Sequence, residues 1–502
     1  MTASLLLKNG IALLHGDNDK VHPTDTDILV EGNVITRIER GIPAPPNAQI
    51  IDCTNKIISP GFVDGHQHVW QTLNKGRHAD ASLLEYMPIG NLTSNEHTKE
   101  DIFWGQLGGC LNLLNAGTTT VVDHAHMNVF TGSSQVAISA TVSSGIRSIF
   151  CYTPTPRVKS WSPLELDPNI EPWGISDWSS LVKKAPFGTN GRVQLGLGYD
   201  GWPLPEEVTA TVFDIALKGG VRLLSTHMVA GVVFPFPDVP KALQHWGLLD
   251  NDKKFHRILL SHATGIKDEE IDLLAKSDVY FASSPSTEMQ LGLGRPICFD
   301  DALRAKACIG GDCQSNGANS IPGEMRIGLQ AERGARNQKL IDNNRGPKSL
   351  RLTVEQAFNF GTIQGARAIG MEASVGSVGV GKLADLVVFD ANSPGMICAA
   401  QSDPVAAVVF FSTAADISTV IVDGVVRKMN GKLCPVQLEQ VEVMEGTTFN
   451  KDGVIEWNEV GEQLLRLRGD YLRRIGKVDF GQAEKELLNQ WKIDEGLLAV
   501  DV

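Results

Sequence analysis

Apolar positions along the chain fall into short runs of strand length, and over most of its middle these runs alternate with stretches of helical pattern. Residues 11–14, 27–30 and 34–38 are strand-like, and Glu31-Gly32-Asn33 separates the last two as a hairpin turn, so the first 58 residues predict a small β unit. From residue 57 onward the text changes. The run 56–63 predicts one buried strand, a helix follows over 98–115 and stops at Gly117, and the β-branched run 118–123 predicts the next strand. Further strand candidates are 147–151, 193–198, the runs ending at His227 and His262, 279–282, and the run ending at Asp312. That makes eight, alternating with helices, the pattern of a (β/α)8 TIM barrel.

Past the barrel, 353–370 predicts a helix, and strand text resumes over 376–389, 406–410 and 420–426, with Asp423-Gly424 as a hairpin signal. These strands are expected to complete the β unit begun at the N-terminus, which makes the barrel an insertion in a small β-sandwich. The stretch 458–497 predicts an amphipathic helical extension, with Leu464, Leu465, Leu467, Tyr471 and Leu472 on its apolar side, packed on the barrel or on a neighbouring subunit. The division expected is 1–58 and 375–435 for the sandwich, 59–374 for the barrel and 436–502 for the extension.

Composition narrows the class of protein. A chain of 502 residues that is 42% hydrophobic can bury both cores without disulfides. With 58 acidic against 45 basic residues, the charge of −13 disfavours phosphate backbones and anionic lipid, so neither nucleic acid nor membrane is an expected partner. The eight cysteines include no Cys-x-x-Cys pair and read as buried thiols in a reducing, cytoplasmic setting. The N-terminal apolar run is too short for a signal peptide, and no run reaches membrane-spanning length.

The chemistry-bearing residues stand at strand ends. His66 and His68 are two apart, which on a strand places both on one face. An isolated His-x-His is as readily a pair on a solvated loop. His227, His262 and Asp312, however, each end an apolar run, and parallel strands of one closed barrel would bring all five together.

Pro-Gly-Phe-Val-Asp-Gly-His-Gln-His (60–68), Ala-Gly-Thr-Thr-Thr-Val-Val-Asp (116–123), Gly-Gly-Asp (310–312) and Gly-Lys-Leu-Ala-Asp-Leu-Val-Val (381–388) resemble the amidohydrolase superfamily. Within it the chain is similar to the branch of cytosine, 8-oxoguanine and methylthioadenosine deaminases and triazine chlorohydrolases, over about residues 5–427. The resemblance implies that His66, His68, His227 and Asp312 hold one divalent metal, with His262 beside the substrate or the attacked oxygen and Gln71 at a substrate-contacting position. Strand 193–198 lacks the lysine that bridges two metals in dinuclear members, so a mononuclear site is implied. One position departs: deaminases of this branch carry a glutamate three residues after the strand-five histidine, and this chain has Ala230.

Three imidazoles and a carboxylate suit zinc, and would also accept Fe(II), Mn(II) or Co(II). Such a metal lowers the pKa of its water towards about 7. Asp312 can take a proton during attack, and His262 can donate to the oxygen that gains charge. Glu288, just past strand seven, is a candidate substitute acid, against the plain reading of a solvated loop carboxylate. His124 and His126 form a second His-x-His that could line the substrate pocket, complete another metal site or serve only in structural hydrogen bonds. Trp70, Tyr152 and Trp202 follow strand ends and could form an aromatic wall or simply pack, and Cys313 reads as a core thiol.

The expected activity is a metal-dependent hydrolase, a homo-oligomer (dimer or tetramer), cleaving a C–N or C–Cl bond of a small cyclic or aromatic substrate. Three rivals remain: a lyase or decarboxylase on the same scaffold, an ordinary deaminase with a relocated acid, and a non-catalytic barrel.

Overall fold

The computed structural model describes residues 4–167, 170, 172–229, 231, 238–250, 255–274, 277–439 and 453–499. Both chain ends contribute to one mixed nine-stranded sheet. Ser4–His15 pairs antiparallel with Val21–Glu31, which turns through Gly32-Asn33 into Val34–Glu39. Lys56–Pro60 runs parallel to Ser4–His15 and antiparallel to Leu386–Asp390, joining the N-terminal strands to the later ones. Ile417–Val422 and Val425–Met429 extend that side through the turn Asp423-Gly424, whose φ values of 54° and 74° are both left-handed, as a tight two-residue hairpin requires.

The expected single strand over 56–63 is divided. Lys56–Pro60 belongs to the mixed sheet and Phe62–His68 to the barrel, with Gly61 between them. Gly61 donates its N–H to the Asp385 carbonyl at 2.8 Å, and a Cβ there would lie 2.1 Å from Thr119 Oγ1, so only glycine lets the chain cross between layers this close to the next strand.

The barrel strands are Phe62–His68, Thr118–Asn128, Arg147–Pro154, Val193–Gly198, Leu223–Val229, Arg257–Thr264 and Val279–Ser283, each parallel to the next, followed by an eighth in two pieces. Ala307–Ile309 pairs with Val279–Ser283, and Asp312–Cys313 pairs with Phe62–His68, which closes the ring. The break falls at Gly310-Gly311, where a Cβ on Gly310 would come within 2.7 Å of the His66 backbone.

Other expectations need correction. The stretch 353–370 forms two helices, Val354–Phe360 and Ile363–Ala368, interrupted at Gly361-Thr362. Of 376–389 only Leu386–Asp390 is strand. The apolar run 406–410 is helical: Asp403 caps Pro404–Ala406, accepting from the Val405 and Ala406 N–H groups, and the turn continues as Ala407–Phe411. The C-terminal extension forms Trp457–Ile475 and Phe480–Gln490. The first of these packs through Val460, Leu464, Leu467, Tyr471 and Ile475 on Lys99–Asn115 and its surroundings, while Leu465 is 74% exposed and Leu472 faces solvent in part. Among the described residues no helix is long and apolar enough to cross a membrane.

Candidate metal centre and its cavity

His66 and His68 lie at the end of the first barrel strand, with Asp64 buried beneath them. Asp64 accepts from the His66 N–H at 3.1 Å and from the Gly311 N–H at 3.0 Å, so one carboxyl braces the first and eighth strands together. Burial pushes its pKa up to about 8. Around this brace the ring nitrogens of four histidines converge on Asp312. His66 Nε2 lies 3.1 Å and His68 Nε2 3.2 Å from Asp312 Oδ1; His227 Nε2 lies 3.3 Å from His68 Nε2. His262 Nε2 stands farther off, at 3.9 Å from the same carboxylate oxygen.

The opposite nitrogen of each ring is held. His68 Nδ1 donates to the His124 carbonyl at 2.8 Å, and His227 Nδ1 donates to Asp200 Oδ2 at 2.8 Å. Ser261 Oγ sits 2.9 Å from His66 Nδ1, and Glu288 Oε1 sits 3.3 Å from His262 Nδ1. At His68 and His227, a carbonyl or carboxylate at Nδ1 fixes the proton there and leaves Nε2 as a bare lone pair. Two lone pairs facing each other at 3.3 Å, beside a carboxylate and the unpartnered Nε2 of His66, repel one another and call for a cation. Burial also lowers the pKa of His66 and His68, keeping them neutral as ligands must be. Ligand atoms of His66, His227, His262 and Asp312 lie within 4.8 Å of one another, and His68 stands beside the same Asp312, so the donor set fits one divalent transition metal.

Strain marks the same place. His262, Ala263 and Asp312 have φ of 73°, 51° and 59°, a left-handed backbone that costs energy for side chains larger than glycine and recurs at functional sites. Burial opposes a charge on His262, but the hydrogen bond to Glu288 and the nearby carboxylates outweigh it and raise its pKa above 6.5.

The centre opens into a cavity of about 560 Å³, and the remaining candidates stand in different relations to it. His126 lines it. Trp70 is fully buried behind His126, its indole N–H directed at His126 Nδ1 at 3.3 Å. Gln71 reaches the cavity only through Tyr86, donating to its hydroxyl at 2.6 Å. His124 is enclosed, with Nε2 at 3.0 Å from Asp200 and Nδ1 at 3.3 Å from Ser225 Oγ. The aromatic wall does not form from the residues expected. Tyr152 shares the outer face of its strand with Phe150, stacks on Trp178 and donates to the Gly174 carbonyl, while Trp202 donates to Thr226 Oγ1 at 3.0 Å, and neither lines the cavity. Cys313 is a buried cavity-lining thiol near the Tyr86 hydroxyl, and burial pushes its pKa well up.

Glu288 is no solvated loop group. It is fully buried, accepts from Ser283 Oγ at 2.8 Å and the Ser284 N–H at 2.7 Å, and faces His262 rather than the cavity. Ala230 lies outside the described residues. Sequence reading missed Asp200. It follows the fourth strand, lines the cavity and ties His124 to His227; the available signal was a carboxylate two residues past Gly198, on the face where barrel active sites assemble.

Comparison with known proteins agrees with this geometry. Residues 241–427 match the amidohydrolase family profile. The chain is 27% identical over 440 residues, 84% of its length and 93% of the relative's, to a 5-methylthioadenosine/S-adenosylhomocysteine deaminase of Thermococcus sibiricus. Its fold superimposes on a zinc-bound adenosine deaminase of Xanthomonas campestris with a TM-score of 0.70 at 18% identity, covering 95% of this chain and 99% of that one. It also superimposes on the zinc complex of an atrazine chlorohydrolase of Arthrobacter aurescens with a TM-score of 0.71 at 19% identity, covering 92% and 100%. The closed barrel, the mixed sheet built from both ends and a His/Asp cluster suited to hydrolysing a C–N or C–Cl bond give the chain an amidohydrolase-type fold, similar to those of the deaminases and triazine chlorohydrolases it matches.

Proposed function

We propose that the protein is a mononuclear zinc hydrolase that attacks a carbon bearing an amino or chloro substituent on a small cyclic or aromatic molecule. The observation that carries this is the convergence of the Nε2 atoms of His66, His68 and His227 on Asp312, with each opposite ring nitrogen already engaged. Zinc in two structural relatives supports that metal over Fe(II), Mn(II) or Co(II). When bound, the metal supplies an acidified water, with a pKa of about 7.

The chain's own residues then divide the work. Asp312 accepts the proton released on attack and holds it within the site. His262 presents Nε2 to the same space and donates to the heteroatom that gains charge. Glu288 holds His262 Nδ1 and so orients that donor; with its oxygens engaged by Ser283, Ser284 and His262, it serves as a positioning residue instead of delivering protons to a leaving group. Asp200 orients His227 in the same manner. His126 is the remaining imidazole on the cavity wall, placed to contact substrate.

With alanine at 230, the leaving group departs with little proton help or takes its proton back from Asp312. The deaminase relatives favour a second reading, ordinary deamination with relocated proton transfer. A panel of aminated and chlorinated heterocycles, scored for ammonia and chloride, separates the two. Chloride release with negligible ammonia supports the changed reaction; fast ammonia release from nucleobases or nucleosides refutes it. Incorporation of labelled solvent oxygen into product distinguishes hydrolysis from a lyase or decarboxylase. The unpaired cysteines and acidic balance support a cytoplasmic setting.

A further inference from the structure

We infer that the end of the C-terminal helix Phe480–Gln490, through Gln490 and the Trp491 that follows it, supplies part of the cavity wall that receives the non-reacting end of the substrate, and that this end is uncharged and mainly apolar. The inference rests on the reading of the cavity as the substrate site. It concerns a part of the chain some 180 residues past the last metal-site residue, Asp312, and no chemistry-bearing motif lies there.

The two ends of the cavity differ in kind. At the inner end stand His68, His126, His227, His262 and the carboxylates of Asp200 and Asp312. The rest of the lining is mainly apolar, with Leu92, Leu166, Ile170, Leu204 and Trp491 among the neutral polar Asn91, Thr153, Thr155 and Gln490, and among the described residues no lysine or arginine joins it. A phosphate or carboxylate on the non-reacting end would find no basic partner in a partly desolvated space. An alkyl or aryl group would be covered on several sides.

The wall is built into the fold. Ala483 and Leu487 pack with Leu92 and Leu164, and Trp491 joins that cluster beside Leu166. Gln490 Nε2 donates to the Leu164 carbonyl at 2.6 Å, and the Glu486 carboxylate accepts the Leu164 N–H. The hairpin carrying Leu164 is fastened in turn, through Trp161 Nε1 to Glu96 at 2.7 Å and the Val158 N–H to Asn95 at 2.9 Å. Trp491 is thereby anchored in the cavity wall, as a residue that reads the shape of a substrate must be.

The test uses the full-length, metal-replete protein and titration calorimetry with one aminotriazine ring bearing a methyl, butyl or benzyl tail, or a butyl tail ended by a carboxylate. Butyl and benzyl are expected to bind at least about tenfold tighter than methyl, and the carboxylate to erase that gain. Trp491→Ala should remove about tenfold of the tail's advantage while leaving methyl affinity unchanged, and Trp491→Phe should restore most of it. Equal binding of the carboxylate and butyl tails overturns the inference. So does absence of any tail dependence, including failure of every tailed member to bind, or an equal loss for all ligands in Trp491→Ala. Turnover is scored separately on the same compounds: tail-selective binding without hydrolysis strikes the hydrolase reading and leaves this one standing.

Discussion

Two buried polar clusters occupy opposite ends of the barrel strands, and they are completed differently. At the N-terminal end, Arg147 opens the third strand and meets Asp385 through Nε at 2.8 Å and Nη2 at 3.0 Å, with a further contact from Nη2 to Asp423 at 3.1 Å. Asn33 and Asn190 donate to Asp423, and the Asp423 N–H donates to Asp385 at 2.7 Å. Donors and acceptors close on one another, and the cluster joins the barrel to the mixed sheet across the hairpin turn. At the C-terminal end, the imidazoles of His66, His68 and His227 and the Asp312 carboxylate aim lone pairs at a common point, with His262 beside them. A cluster whose protein groups satisfy each other is structural; one whose groups are satisfied outwardly and opposed inwardly is built for something the chain does not supply.

The comparison breaks most decisively at Asp312. Asp312→Ala or His66→Ala is expected to abolish metal retention and activity while circular dichroism and the thermal transition show a folded barrel. Elemental analysis of wild type should find about one divalent metal per chain; active protein without metal defeats the reading. The opposite cluster should respond in the opposite way. Arg147→Ala leaves two buried carboxylates without their cation and should cost about 3–5 kcal/mol in denaturant unfolding, with metal content and activity per folded molecule retained. Its effect depends on pH. Burial alone would raise the pKa of Asp423, but hydrogen bonds from Asn190 and Asn33, together with Arg147, hold it below the ordinary 3.8. A depressed folded value means stability that is present above that ordinary value and is lost as pH falls through the folded one. The gap between wild type and Arg147→Ala should therefore narrow in acid, and a constant gap would remove Asp423 from the account.

Within the metal centre, His262 sharpens the contrast between ligand and reactant. Its Nε2 stands at 3.9 Å from Asp312 Oδ1, where His66 and His68 stand at 3.1 and 3.2 Å. His262→Asn should keep most of the metal and lower turnover by about a hundredfold or more. Metal loss as large as that of His227→Ala would make it a ligand.

Much of this was legible in the sequence, and what was hidden had physical causes. The barrel followed from alternating runs, and the strand-end histidines from the two-residue period of a strand. Tyr152, expected just past a strand ending at 151, lies inside one that runs on to Pro154, where it falls on the outer face with Phe150 while Cys151 points inward with Ile149, which leaves the packing alternative. Pro60-Gly61 was read as interior to one strand although it is the kind of break that lets a chain change sheets. The run 406–410 was ambiguous by hydrophobicity, and the deciding signal was the preceding Asp403-Pro404 cap. Asp385 was readable as part of a family motif but not as the partner of Arg147, because that pairing spans 238 positions. Asp200 and Trp491 were hidden for a like reason, since neither has a period or a neighbour that announces it.

Glu288 gives the smallest expected effect and the finest test, because it lies between the two kinds of cluster. It is fully buried and satisfied by Ser283 and Ser284, as a structural acid would be, yet it also touches His262, whose other nitrogen faces the metal centre. Glu288→Gln is nearly isosteric and keeps one carbonyl acceptor. It removes the charge that holds the His262 proton and sets an N–H2 group among donors that need an acceptor. Loss of such an outer partner typically costs about ten- to a hundredfold in activity or metal affinity, and about tenfold is expected here, in kcat with KM little changed. A purely structural Glu288 would instead lower the thermal midpoint without moving kcat per folded molecule. In the double variant with His262→Asn, the Glu288→Gln loss should vanish, since a residue that acts only by orienting His262 has nothing left to orient. Additive losses would show that Glu288 acts elsewhere and would return it to the structural side of the comparison.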